Sequence, residues 1–130
     1  MDIPTVHYRK VLSSEECERI YKAVSGGENL TLTELIDRSY TQATDKGFFD
    51  RELSINDLLM QVVSEVGELY DAFRNGEGVD RISEETADIF ISCSTLAGML
   101  QAQYGMDMDI EVLRKLTMDK DRPQLHGKLF

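Results

Sequence analysis

Two helical patterns joined by a connection of nine residues constrain this chain more than any other feature. Residues of about 56–73 and about 83–104 each carry apolar side chains recurring every three or four positions, the period of an amphipathic helix. Between them stands "NGEGVD", rich in turn formers. A connection that short joins antiparallel neighbours only, so the centre of the fold is a helical hairpin.

The flanking segments read the same way. "SSEECERIYKAVSGG" has capping-box spacing from Ser13 to Glu16 and ends at Gly26 and Gly27. "TLTELIDRSYTQATDKG" repeats that spacing from Thr31 to Glu34 and stops at Gly47. "FFDRELS" is a turn with two adjacent aromatics, and a short fifth helix is expected over 109–118. Pro123 and Gly127 break the tail "DKDRPQLHGKLF". Strand alternation is nearly absent. The expected fold is all-α, a bundle of four to five helices built on the central antiparallel pair.

On a wheel of about 100° per residue, Leu59, Val62, Val66, Leu69 and Phe73 form one apolar stripe. Ile82, Thr86, Ile89, Cys93, Leu96 and Leu100 form the other, which places Cys93 in the core. Glu65 and Glu68 flank the first stripe; Glu85 and Asp88 flank the second, displaced in the same rotational sense. In an antiparallel pair, flanks of the same sense meet on one side of the seam. The four acids should therefore converge within about one helical turn. Glu84 and Asp71 lie further from the seam and read as solvated surface.

Four neighbouring carboxylates repel unless protons or a cation intervene. All-oxygen ligands suit Mg²⁺, Mn²⁺ or Ca²⁺ rather than Zn²⁺. Mg²⁺ commonly shares its shell with substrate phosphates, so the cluster suggests phosphate-ester or anhydride chemistry. Acid pairs three residues apart are also common on solvated helix faces, and spacing alone leaves both readings open. A di-iron carboxylate bundle would want Glu-x-x-His on two helices. The two histidines, His7 and His126, fall outside the central helices.

Charge and composition narrow the partners. The 130-residue chain has a formal net charge of −10, which disfavours binding to a nucleic acid polymer or an anionic membrane. It has no apolar run of transmembrane length and no signal-peptide pattern at its start. Cys17 and Cys93 share no motif and read as reduced thiols, in keeping with a cytoplasmic location.

"SEVGELYDAFR…EETADIF" resembles the E-x-x-E … E-x-x-D signature of the all-α nucleoside triphosphate pyrophosphohydrolases, the MazG-like family, on Glu65, Glu68, Glu85 and Asp88. "ATDKGFFD" resembles an upstream segment of these proteins, and "KLTMDKDRPQLHGKLF" resembles the C-terminal pattern of a subgroup. The likeness covers residues 31–130, leaving 1–30 as an N-terminal extension with one helix. It implies Mg²⁺-dependent hydrolysis of a nucleoside triphosphate to the monophosphate and pyrophosphate, with Mn²⁺ a possible substitute. The four acids would hold the metal, and Glu65 or Glu68 would activate the water. Lys46, Lys115, Arg122, His126 and Lys128 would contact phosphates, and Phe48 and Phe49 the base. Met118 and Asp119 depart from the subgroup, which usually has Tyr and Asn there; Asp119 would repel a phosphate or add a metal ligand. A homodimer or homotetramer is also implied. The alternatives are a related hydrolase acting on phosphoribosyl-ATP or an alarmone, and a non-catalytic helical interaction module.

Overall fold

The structure is a computed structural model that describes residues 13–25 and 29–122. Those residues form five helices and no strand: α1 (Ser14–Ser25), α2 (Leu32–Asp45), α3 (Ile55–Arg74), α4 (Val79–Tyr104) and α5 (Met108–Lys120). The all-α hairpin expected from the sequence is present.

Local chemistry fixes most of the boundaries. Ser13 Oγ accepts from the Glu16 N–H at 3.1 Å, and Thr31 Oγ1 accepts from the Glu34 N–H at 3.1 Å. Ser54 and Asp57 form a reciprocal box at the start of α3: Ser54 Oγ accepts from the Asp57 N–H at 3.2 Å, and Asp57 Oδ2 accepts from the Ser54 N–H at 2.8 Å. Gly105 ends α4 in the left-handed region at φ 66°, where a side chain would be strained. The start of α4 differs from expectation. Gly78 caps it without a side-chain hydrogen bond, and the helix begins at Val79, four residues before Ser83. The turn is correspondingly shorter, and Arg81 lies in the first turn of the helix.

α4 is the centre of the bundle, packing against α3 and against α2, while α5 makes a smaller contact with α2. The Thr33 hydroxyl donates to Asp109, tying α2 to α5. The Met108 N–H donates to Gln101 Oε1 at 3.2 Å. Ile36, Leu58, Ala72, Ala97 and Met99 are buried, with the small polar residues Ser39, Ser94 and Thr95 among them. Ser94 and Thr95 donate to the carbonyls of Phe90 and Ile91 at 2.7 and 3.0 Å, so their hydroxyls enter the seam already hydrogen-bonded. A Cβ built on Gly98 would stand 2.7 Å from Tyr40 Cβ, so this glycine sets how closely α2 approaches α4.

Both stripes are rotated from where apolar periodicity puts them. On α3 the buried residues are Leu58 and Ala72, whereas Leu59 and Val66 are each 47% exposed. On α4, Cys93 is exposed rather than in the core. Thr95 is buried, and Cys93, two positions away, lies about 160° round the helix from it. The covered faces of α4 carry small residues that admit close neighbours, and the larger apolar residues are spread around the rest.

Candidate metal centre

The rotation brings acids inward. Glu65 now shares the seam with Leu58 and Ala72 and is half-buried; Glu68 remains exposed at the edge. From α4, Glu85 projects into the same place and is 2% exposed, the largest fully buried side chain among the described residues. Glu65, Glu68 and Glu85 each offer a carboxylate oxygen, and these oxygens lie within 4.8 Å of one another. Asp88, the fourth expected acid, is exposed and outside this group.

The cluster is partly partnered. Gln61, one turn before Glu65, donates from Nε2 to Glu65 Oε1 at 2.9 Å. Arg81, one turn before Glu85, sets a guanidinium nitrogen 2.6 Å from Glu85 Oε1. The other oxygens, Glu65 Oε2 and Glu85 Oε2, are buried without a hydrogen-bond partner. Burial raises the Glu85 pKa above its ordinary value; Arg81 opposes the shift, and the negative charges of Glu68 and Asp88 add to it. Two orphaned buried oxygens in one group of hard donors fit a divalent cation such as Mg²⁺ or Mn²⁺, which would satisfy both and remove the repulsion.

A recess of about 110 Å³ adjoins the acids, lined by Ala43, Phe48, Leu58, Gln61, Ile91, Ser92 and Thr95. Gln61 belongs to both, since it lines the recess and holds Glu65. Phe48 faces this space, whereas Phe49 packs on Tyr40 with ring centroids 5.1 Å apart. Lys46 is the C-cap of α2, its backbone N–H donating to the Gln42 carbonyl, while the Gly47 N–H donates to Thr44. Its side chain lines a separate open cleft with Asp37, Arg38 and Thr41.

The basic residues of α5 and its end are held by one acid. Asp119 Oδ1 lies 3.3 Å from Lys115 Nζ and 3.6 Å from an Arg122 nitrogen. The negative charge that departs from the subgroup pattern thus sits between two cations on its own helix end. His126 and Lys128 lie outside the described residues. Sequence reasoning missed Gln61 and Arg81. Each precedes a cluster acid by four positions, and that spacing, read backwards from the acids, is the signal that finds them.

A hairpin of two helices carries facing E-x-x-E and E-x-x-D pairs, and three of the acids gather at its seam as hard oxygen donors that could hold a divalent cation. The family model of the MazG nucleotide pyrophosphohydrolase domain matches residues 53–122, more than half of the chain and all four acids. The chain belongs to the MazG nucleotide pyrophosphohydrolase family. The match begins at Leu53, after the "ATDKGFFD" segment. Searches of curated proteins and of solved structures returned no match.

Proposed function

We propose that this protein hydrolyses nucleoside triphosphates, ribo or deoxyribo, to the monophosphate and pyrophosphate with Mg²⁺, and so controls the nucleotide pool. The observation that carries this reading is Glu85: a buried carboxylate with one orphaned oxygen, gathered with Glu65 and Glu68 in a chain of this family.

Glu65, Glu68 and Glu85 hold the metal, with Asp88 at the rim as the fourth ligand. The bound metal supplies charge neutralisation of the phosphates and activation of water. Water attacks the α-phosphorus, the bond to the bridging oxygen of the β-phosphate breaks, and pyrophosphate leaves. Glu65 and Glu68 are the groups placed to take the water's proton. One Glu65 oxygen is held by Gln61, and Glu68 stands at the open edge. Phe48 and the adjoining recess receive the base. Lys115 and Arg122 leave Asp119 for phosphate oxygens, with Lys46, Phe49, His126 and Lys128 completing the substrate contacts of residues 31–130.

Self-association fits the surface. Leu59, Met60, Val63, Val66 and Tyr70 are all about half exposed or more on the outer side of α3. An apolar face of that extent is usual for an interface and unusual for a lone soluble chain, which supports a homodimer or homotetramer. No helix among the described residues is long and apolar enough to cross a membrane; with the strongly acidic charge, a cytoplasmic setting without nucleic acid polymers suits the reading.

The test is nucleotide turnover with Mg²⁺ and with a chelator, in the wild type and in Glu68→Ala. The expected result is chelator-sensitive pyrophosphate release that the variant loses while its circular dichroism spectrum is kept. Unchanged turnover in Glu68→Ala would remove the acid cluster from the reaction.

A further inference from the structure

Among the described residues, Arg81 is the one cation in ion-pair contact with the three gathered acids, and its position is unusual for a structural partner. Its side chain is 54% exposed, while the Glu85 side chain it holds is 2% exposed. The pair therefore bridges solvent and the buried seam. A second guanidinium nitrogen lies 3.6 Å from Glu84, itself 69% exposed, too far for a hydrogen bond and open to water. Arg81 neutralises one carboxylate of three, leaving the inner oxygens of Glu65 and Glu85 without partners. A divalent cation placed among Glu65, Glu68 and Glu85 would satisfy them. It would also stand close to a fixed positive charge already drawing on Glu85 Oε1, and like charges at that range repel.

We propose that Arg81 is the internal counter-ion of the acid cluster and that a divalent cation binds by displacing it from Glu85. The inference rests on the metal reading above. Arg81 orients the Glu85 carboxylate in a buried position. When the metal arrives, Glu85 passes from guanidinium to metal, and Arg81 swings to solvent. It needs no rearrangement of the core to do so, because its side chain is already half in water at the first turn of α4. Arg81 is thus a positioning residue that competes with the metal, setting the ion concentration at which the site fills.

The test is Mn²⁺ alone, without nucleotide, titrated calorimetrically into wild type, Arg81→Ala and Arg81→Lys, with melting temperatures measured in chelator and in excess Mg²⁺. Arg81→Ala should bind Mn²⁺ about three- to tenfold more tightly, the range that a charge-assisted pair half open to solvent can hold back. Its melting temperature should fall below wild type in chelator, and that deficit should shrink or reverse in Mg²⁺. Arg81→Lys keeps a charge but loses the planar fork, and should fall between; it also serves if Arg81→Ala does not fold. Weaker Mn²⁺ binding in the variants would make Arg81 an ordinary orienter of Glu85 and overturn the proposal, as would unchanged binding. If wild type and variants alike take up no Mn²⁺, the metal reading itself fails, and the displacement idea with it.

Discussion

Gly98→Ala tests the packing that positions α4. The new Cβ would lie 2.7 Å from Tyr40 Cβ and Cδ2 and 2.8 Å from Cγ, whereas ordinary contact begins at 3.4 Å. Tyr40 Cβ is anchored directly to the α2 backbone, so the clash is relieved only by moving α2 away from α4. Overpacking of this kind costs about 1–3 kcal/mol, and a clash with an atom so near the backbone belongs at the upper end. Against it stands the helix preference of Ala over Gly, about 1 kcal/mol. The net loss is about 2 kcal/mol, a fall in melting temperature of about 6–10 °C for a chain of this size. Gly67→Ala is the internal control. Nothing lies within 4 Å of its built Cβ in the single chain, so below the concentration at which subunits associate it should gain about 1 kcal/mol. Thermal unfolding followed by circular dichroism reads both. A Gly98→Ala protein as stable as wild type would refute the argument that this glycine sets the α2–α4 distance.

Ser54→Ala removes the N-cap of α3 and should cost about 1 kcal/mol in chemical denaturation. The Ser54 backbone and then its hydroxyl hold the Asp57 pKa below its ordinary value, so this box stabilises above about pH 3.8 and is lost as the pH falls through the lowered value; the Ser54→Ala deficit should shrink in acid. Glu85 has the opposite sign. Its raised pKa makes its contribution fully present below the ordinary value and lost as the pH rises through the raised one. In chelator, melting temperature should therefore climb as pH drops from neutrality, and Glu85→Gln should flatten that part of the curve. Val63→Lys, on the exposed side of α3, should lower the sedimenting mass without unfolding the chain.

Helix existence was legible because it rests on local chemistry. Caps at Ser13 and Thr31 are short-range signals, and the structure uses both. The start of α4 was not legible, because Gly78 caps it without a side chain. Rotation about the helix axes was also hidden. Apolar residues ring much of α4, and besides Glu85 and Met99 the positions it buries are the small Ser94, Thr95, Ala97 and Gly98, which favour closeness over hydrophobicity. Periodicity therefore put Cys93 inward and Glu85 on a flank, when burial is the reverse. The gathering of acids survived this error for Glu65, Glu68 and Glu85, because both helices turned to bring their acids nearer the seam. Arg81 was overlooked because it lay between the residues read as a turn and the expected helix start near Ser83.

The gathered acids are proposed to serve cleavage between the α- and β-phosphates. The most direct measurement is product identity: single-turnover hydrolysis of a nucleoside triphosphate in ¹⁸O-water with Mg²⁺, resolved by mass. The proposed reaction gives pyrophosphate without label and a nucleoside monophosphate carrying the ¹⁸O, with neither formed in chelator. Orthophosphate and nucleoside diphosphate as products, or label in the pyrophosphate, would contradict it.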